Sequence, residues 1–267
     1  MSEAAERIRR FAAGHAPLVK IEVASARGST PREAGAWMLV GPDKAFGTIG
    51  GGQLEFLAIE HARRIAGDPS SDPSMSVPLG PEIGQCCGGR VDLDFCLMSE
   101  AEIEALIRRV EDYDRANPHV YLFGAGHVGH ALADAFRALP VHLTIVETRA
   151  EALADFDADT DARLAAMPEA VIDEAPPGSA LIVLTHDHAL DFLLVRAALS
   201  RNDLAYIGMI GSKTKRATFE RWYVREGGGD PANCVRLVSP IGGGDLRDKR
   251  PAVIAALVAA EVLRAVL

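Results

Sequence analysis

Two adjacent thiols in a glycine-rich segment carry the most distinctive chemistry in the sequence. Residues 84–89 read Gly-Gln-Cys-Cys-Gly-Gly, so Cys86 and Cys87 stand in a loop between two predicted strands. Glycines on both sides keep thiols accessible and admit a bulky ligand, which suits sulfur handling or the binding of a soft metal. The sequence does not separate the two thiols. The alternative is that one is buried and the other is incidental.

A second glycine-rich segment follows a predicted strand and begins a predicted helix. It carries Gly-x-Gly-x-x-Gly as Gly124, Gly126 and Gly129, and Glu147 ends the next predicted strand 18 positions later. In a dinucleotide-binding turn the glycines allow the bend, the approach of a phosphate and close helix packing, and the acid binds a ribose. The helix N-terminus attracts an anion. The alternative is a Rossmann scaffold whose dinucleotide site has been lost or reused.

Polar residues at two further predicted strand ends are candidate ligand-binding groups. His186 and His188 follow a buried strand and would share one face if the strand continued, where they could bind a metal, a proton or a phosphate. The alternative makes Asp187 a helix cap and both histidines surface residues. Ser212 is the predicted N-cap of the next helix, which begins at Lys213 and holds three cations in its first turn. An anion there would relieve their conflict with the helix dipole, but solvated basic residues are an equal alternative.

A third glycine-rich segment, residues 47–55, reads Gly-Thr-Ile-Gly-Gly-Gly-Gln-Leu-Glu. As a strand-to-helix turn it would direct backbone N–H groups at an anion. Gln53 and Glu55 could then contact the edge of a heterocycle. We therefore predict that this turn contributes to the same kind of ligand site.

The elements that position these residues fall into two segments with unlike patterns. Residues 18–99 hold short, β-rich stretches punctuated by glycine, and Ser99 with Glu102 then begins a helix as a capping box. After Asn117-Pro118 strands and helices alternate, which is typical of a parallel sheet. We predict an α/β protein with a smaller N-terminal α+β domain over 1–116 and a C-terminal Rossmann-like, doubly wound parallel sheet over 117–267.

The charge, hydropathy and cysteine content of the chain disfavour several classes of function. The 267 residues include 28 Lys and Arg against 37 Asp and Glu, and a formal net charge of −9 disfavours nucleic-acid binding. No stretch of 18 uninterrupted apolar residues occurs, and the first twenty residues lack the apolar region of a signal peptide. With four cysteines and no Cys-x-x-Cys, we expect reduced thiols, a cytoplasmic location and no membrane partner.

Seven motifs together resemble the XdhC/CoxI family, the xanthine dehydrogenase accessory proteins. They span nearly the whole chain in family order, at residues 26–32, 47–55, 84–89, 124–129, 185–188, 207–213 and 239–242. Jointly they are specific, although each alone is weak. Gln53 and the Gln-Cys-Cys-Gly-Gly run look like the xanthine dehydrogenase branch of the family.

The resemblance implies a chaperone that takes part in the maturation of a molybdenum enzyme. It favours that role over an enzymatic activity of the chain itself. Such proteins bind the molybdenum cofactor (molybdopterin), hold it while a cysteine desulfurase supplies its terminal sulfido ligand, and deliver it to apo xanthine dehydrogenase. A homodimer is also implied. The predicted cofactor-binding residues are Cys86, Cys87, Gln53, Glu55, Gly124, Gly126, Gly129, Glu147, His186, His188, Ser212 and Lys213, with Cys86 and Cys87 as metal ligands.

Two other classes of function compete with this one. The first is an NAD(P)-dependent oxidoreductase that uses the Rossmann turn and its acid. The second is a protein–protein scaffold with a vestigial Rossmann domain. Binding of a nicotinamide cofactor with turnover would favour the first, and failure to bind any pterin or nucleotide would favour the second.

Overall fold

The computed structural model describes residues 3–80, 88–243 and 248–267 of the chain. The chain divides into two compact units, Met1–Arg115 and Ala116–Leu267, each with a sheet of its own. The paired thiols Cys86 and Cys87 lie outside the described residues, so their predicted role stays a prediction. Nowhere in the described ranges is a helix both long and apolar enough to cross a bilayer.

The N-terminal unit is a five-stranded antiparallel sheet with helices on both faces. Its elements are α1 (Glu3–Gly14), β1 (Val19–Arg27), β2 (Trp37–Val40), β3 (Ala45–Gly47), α2 (Gly52–Gly67), β4 (Ser74–Pro78), β5 (Arg90–Leu97) and α3 (Glu100–Arg115). The strand order is β3-β2-β1-β5-β4. Met38 and Val40 pack in the layer of α2, whereas Leu39 packs with α1 and α3, because alternate strand residues face opposite sides.

Of the helices α1 and α3, the sequence predicted the start of α3 but not α1. The predicted capping box of α3 is confirmed: Glu102 Oε2 accepts the Ser99 N–H at 2.7 Å, and Ser99 Oγ accepts the Glu102 N–H at 3.3 Å. The sequence pattern of the first fourteen residues did not predict the helix α1. Its apolar stripe is short, and an ion pair from Arg9 to Glu111 on α3, at 2.9 Å, helps to hold it.

The C-terminal unit is a six-stranded, wholly parallel sheet with helices on both faces. Its elements are β6 (His119–Phe123), α4 (His127–Phe136), β7 (His142–Glu147), β8 (Asp161–Leu164), α5 (Glu169–Glu174), β9 (Ala180–Val183), α6 (His188–Ser200), β10 (Tyr206–Met209), α7 (Lys213–Arg225), β11 (Leu237–Val238) and α8 (Pro251–Val266), with 3₁₀ turns at Ala150–Leu153 and Pro231–Arg236. The order is β11-β10-β9-β6-β7-β8. This is the Rossmann order, and the predicted fold class is confirmed.

Two apolar layers cover the faces of this parallel sheet. Phe123 packs in the layer of α5, α6 and α7, and its neighbour Leu122 packs in the layer of α4 and α8. All four residues of β9 are buried, as expected for a central parallel strand. Such a sheet leaves its strand ends, rather than its faces, as the place for a ligand.

The C-terminal helix is tied to the sheet by a polar contact within an apolar layer. Tyr206 Oη donates to Glu261 Oε2 at 2.9 Å, and the same oxygen accepts the Gly242 N–H at 2.7 Å. Burial and the adjacent Glu261 carboxylate raise the pKa of the Tyr206 hydroxyl far above its usual range. Gly208 leaves room for the tyrosine ring, because a Cβ there would lie 2.5 Å from Tyr206 Cε1.

Candidate functional site

The turn between β6 and α4 is the centre of the candidate site. It lies where β6 and β9 are neighbours and the strand order reverses, which is where open parallel sheets bind ligands. Gly124 has a φ of +118°, and a Cβ on it would lie 2.4 Å from the Leu184 carbonyl oxygen. A Cβ on Gly129 would lie 2.4 Å from the Gly124 carbonyl oxygen. Both positions therefore require glycine, as the motif predicts.

Gly126 differs from the other two glycines of the motif because it is exposed and open. A Cβ on Gly126 would meet no atom within 4 Å. It is the N-cap residue of α4, no side chain of the described residues caps that helix end, and the first turn holds no acid. The first N–H groups of α4 and the positive end of its dipole are thus available to an anion.

Glu147 ends β7 and is almost fully buried. Its Oε2 accepts the Ala125 N–H at 3.0 Å and an Arg149 guanidinium N–H at 3.1 Å, and its Oε1 accepts the Thr148 N–H at 2.8 Å. Burial alone would raise the pKa of Glu147, but the hydrogen bonds from Arg149, Ala125 and Thr148 outweigh it and lower that pKa to about 2. Glu147 therefore fastens the glycine turn to the end of β7 as a charged group.

This geometry bears on the predicted role of Glu147 as a ribose-binding acid. A carboxylate has about four acceptor positions, and both of its oxygens already accept at least two hydrogen bonds from the protein. A ribose hydroxyl would bind Glu147 only after Arg149 had moved away. The partly exposed guanidinium of Arg149 is the polar group that this strand end offers to a ligand.

The two predicted histidines do not share a strand face. β9 ends at Val183, so His186 lies in a bend and His188 is the first residue of α6, both of them exposed. Asp187 is the N-cap of α6, and its Oδ1 accepts the Ala189 N–H at 2.8 Å. The alternating geometry on which the pairing of the histidines depended is absent at these residues, and Asp187 acts as the helix cap that the sequence alternative described.

A buried ion pair beside this cap was missed by sequence reasoning. Asp191 is fully buried, its Oδ1 accepts the Thr185 N–H at 2.9 Å and the Thr185 hydroxyl at 2.7 Å, and its Oδ2 pairs with Lys215 Nζ. The available signal was periodicity, because Asp191 occupies the buried face of α6 together with Leu194, Val195 and Ala198. An acid in that position requires a buried partner.

Two of the three cations in the first turn of α7 form ion pairs with acids of the protein itself. Ser212 is its N-cap, as predicted, and Ser212 Oγ accepts the Lys215 N–H at 3.2 Å. Lys215 pairs with Asp191, and Arg216 pairs with Glu220 at 2.8 Å. Lys213 is exposed and forms no ion pair with the described residues. The conflict with the helix dipole is thus relieved without an external anion, which weakens the argument for one here.

The glycine turn before α2 is held by its own carboxylate. Glu55 Oε2 accepts the Thr48 hydroxyl at 2.6 Å, the Gly51 N–H at 3.0 Å and the Ile49 N–H at 3.3 Å. Glu55 thus supplies the negative charge that we expected from a ligand. Gln53 is exposed on the first turn of α2 and remains a candidate contact.

A cavity of about 460 Å³ opens beside the glycine run that follows β11. Gly211, Pro240 and Gly243 contribute backbone to its wall, and Lys249 is a charged side chain on its lining. This volume lies within the range of small-molecule sites. The glycine run therefore borders a space that a ligand of moderate size would fill.

The thiols that the structure describes are not activated. Burial raises the pKa of Cys96, whose thiol donates to Glu102 at 3.4 Å, and burial also raises the pKa of Cys234. Both therefore behave as structural residues. Among residues 3–80, 88–243 and 248–267, no group of three or more His, Cys, Asp or Glu could hold a metal ion.

Comparisons with known proteins agree with this architecture. Residues 120–262 match the family model described as the XdhC Rossmann domain, and residues 12–71 match the XdhC and CoxI family. The chain is 27% identical over 259 residues to the uncharacterized protein YqeB of Escherichia coli (strain K12); the match covers 93% of this chain and 43% of that protein. The chain thus spans less than half the length of this relative.

A solved structure shares the fold across the whole chain. It is described as a xanthine dehydrogenase from Bacillus halodurans and matches with a TM-score of 0.80 at 17% identity. The match covers 98% of this chain and 95% of the other. At this level of identity, the likeness concerns the fold alone.

Proposed function

Since the chain belongs to the XdhC and CoxI family, we propose that it acts in the maturation of a molybdenum-containing dehydrogenase. In this proposal it binds the molybdenum cofactor, molybdopterin, as its cargo and holds it for sulfuration by a cysteine desulfurase. It then delivers the cofactor to apo xanthine dehydrogenase and works as a homodimer. Family membership supports the maturation role, and the description of the Bacillus halodurans structure supports the choice of enzyme.

The open start of α4 is the observation that carries this proposal. Asp187 and Ser212 cap the starts of α6 and α7, whereas no side chain in the described part of the chain caps the start of α4 at Gly126. Molybdopterin ends in a phosphate, and a helix N-terminus with free N–H groups is suited to bind one. The chain therefore offers this group a place at the strand end where Rossmann sheets bind ligands.

The proposal assigns the sulfur side of the cofactor to the thiol pair. Cys86 and Cys87 remain the candidates because adjacent, glycine-flanked thiols suit contact with molybdenum or sulfur. Molybdopterin retention should be measured in Cys86→Ala and in Cys87→Ala. Retention at the wild-type level in both variants would remove the thiols from the proposal.

The phosphate side is tested at Gly126 with a matched pair of substitutions. Gly126→Asp would cap α4 and add a negative charge, whereas Gly126→Ala adds only a Cβ. The backbone has φ −81° and ψ −171°, which both residues adopt, and the Cβ meets no atom within 4 Å. We expect retention of molybdopterin, in protein from a host that makes it, to fall about tenfold in Gly126→Asp only. Equal retention in both variants contradicts the phosphate site.

A second candidate function, binding of NAD(P), is favoured by the Rossmann strand order and by Arg149. Because Glu147 is engaged by protein donors, a cofactor with a 2′-phosphate would fit this strand end better than one with a free 2′-hydroxyl. Fluorescence titration with NADPH and NADH compares the two. Tight binding with turnover would favour an oxidoreductase over a chaperone, and no binding of either would remove this candidate.

A further inference from the structure

A cavity of about 680 Å³ lies on the helical face of the C-terminal unit, between α5, α6 and the end of α7. Its size lies within the range of ligand sites. It shares no residue with the glycine-rich turns or with the helix starts described above. Its polar lining thus has no explanation in the proposed function.

A tyrosine hydroxyl without a hydrogen-bond partner reaches into this cavity. Tyr223 lines the cavity and is only 3% exposed, and its hydroxyl forms no hydrogen bond with any residue in the described part of the chain. That hydroxyl is not one of the fully buried, unpaired polar atoms of the described residues, so its small accessible surface faces the cavity. A ligand in the cavity can therefore donate a hydrogen bond to Tyr223.

The wall around Tyr223 is shaped by glycine. A Cβ on Gly229 would lie 2.1 Å from Tyr223 Cζ, and the Gly229 N–H donates to the Tyr223 carbonyl at 2.8 Å. The loop therefore folds directly onto the ring, near the end that carries the hydroxyl. Any side chain at position 229 would force the ring to move.

The charge on the lining favours a cationic ligand. Glu169, Asp173 and Asp230 contribute three carboxylates, and Arg196 is the one cation among the lining residues that the structure describes. Neither Glu169 nor Asp173 forms an ion pair or a side-chain hydrogen bond within the described residues, although Asp173 lies near enough to Arg201 to interact with it electrostatically. An excess of negative charge beside low-dielectric protein attracts a positive group.

The apolar part of the cavity lining favours a cation that carries an aliphatic stem. Leu193, on α6, is 47% exposed and lines the cavity together with Ala197. Lysine and arginine side chains pack an aliphatic stem on such a surface while the head group reaches carboxylates. A bare inorganic cation would leave the leucine uncovered.

We propose that this cavity is the docking site for a basic segment of a partner protein. One lysine or arginine head group meets Glu169 and Asp173, the Tyr223 hydroxyl accepts one of its N–H groups, and the stem covers Leu193. The inference goes beyond the proposed function, because it concerns neither the cofactor nor the glycine turns.

The test uses fluorescence anisotropy with labelled pentapeptides on the full chain. The probe Gly-Arg-Leu-Arg-Gly should bind and lose affinity as salt rises, and Gly-Glu-Leu-Glu-Gly should not bind. The double variant Glu169→Gln/Asp173→Asn should bind the basic probe at least tenfold more weakly. The matched control is Asp155→Asn/Asp159→Asn, which removes two charges from exposed positions outside the cavity.

The variant Tyr223→Phe separates a binding role from a structural one. It keeps the buried ring and removes a hydroxyl that has no hydrogen-bond partner among the described residues, so thermal stability should stay about the same. Affinity for the basic probe should fall about fivefold, the equivalent of one hydrogen bond. Unchanged affinity would show that the hydroxyl does not contact the ligand and would overturn this assignment.

Three further outcomes would overturn the proposal. Equal affinity of the double variant and its control would mean that the carboxylates are not recognised. Binding of arginine amide as tightly as the pentapeptide would make the cavity a site for a small cation. A wild-type dimer that dissociates in Glu169→Gln/Asp173→Asn, measured by sedimentation, would make this face a contact between copies of the chain.

Discussion

The two units each contain a glycine-rich turn from a strand into a helix, and the two turns use a carboxylate in opposite ways. Before α2, Glu55 belongs to the helix itself, and its carboxylate accepts hydrogen bonds from the turn. Before α4, Glu147 belongs to the neighbouring strand β7, pairs with Arg149 and leaves the helix start open at Gly126. A glycine-rich turn therefore gives a helix start occupied by a carboxylate in one unit and a helix start that is free in the other.

The difference shows that glycines alone do not identify an anion site. They allow the backbone to turn, but the position of the nearest acid in the sequence decides whether the N–H groups remain available. An acid in the first helical turn, such as Glu55, occupies them. The following predictions test this distinction.

The largest effect is expected from substitutions of the glycines themselves. Gly124→Ala should destabilise the protein by about 4 kcal/mol, because φ is +118° and the Cβ would lie 2.4 Å from a carbonyl oxygen. Gly51→Ala should cost about 2 kcal/mol, because φ is +74° but the space is open. Denaturant unfolding compares the two. Equal costs would mean that backbone strain, rather than close packing, sets both.

The next effect concerns Glu147→Gln, which should destabilise the protein by about 3 kcal/mol, because it leaves Arg149 without its partner. Since the pKa of Glu147 is lowered to about 2, its contribution is complete above the ordinary pKa near 4.5. It should be lost progressively as the pH falls from 4.5 through 2. Denaturant unfolding against pH measures this loss, which should be smaller in Glu147→Gln. Parallel pH profiles would contradict the assignment.

A smaller effect is expected from Glu55→Gln. The amide oxygen still accepts N–H groups but without the charge, so the cost should be about 1 kcal/mol. The measurement is again denaturant unfolding, with Glu147→Gln alongside. A loss as large as that of Glu147→Gln would mean that the two carboxylates are equivalent, and the contrast between the turns would not hold.

The smallest effect on stability is expected at the start of α7. Lys213 is exposed and unpaired within the described residues, so Lys213→Ala should change the free energy of unfolding by less than about 0.5 kcal/mol. Molybdopterin retention should fall about threefold, because a cation near the sheet edge attracts the phosphate. Unchanged retention would confine the phosphate site to α4 and remove Lys213 from the predicted set.

Much of the fold could be predicted because it depends on local pattern. The alternation of strand and helix after residue 118 indicates a parallel sheet, and the Gly124 motif identifies its first turn. The caps Ser99 and Ser212 could also be predicted, because capping is a contact between near neighbours in sequence. The helix α1 could not, because its stability depends on α3 about a hundred residues away.

The candidate site was less predictable because its contacts cross between elements. The sequence indicates that Glu147 ends a strand beside the turn, but not that Arg149 and backbone N–H groups already engage it. Likewise, the pair of Asp191 and Lys215 joins two helices, and only its burial shows that the cations of α7 need no ligand. Burial and partner identity are tertiary properties, which a single sequence leaves open.

The glycine in the middle of β10 has an evolutionary consequence. A Cβ at position 208 would collide with the ring of Tyr206, whose hydroxyl anchors Glu261 and so the C-terminal helix. Positions 206 and 208 are therefore expected to covary: chains that keep tyrosine at the first should keep glycine at the second. Chains with a smaller residue at 206 can carry alanine at 208 only if position 241 is smaller as well, because the Cβ would also lie 2.8 Å from Ile241 Cγ2. Such chains must fasten their last helix to the sheet by another contact.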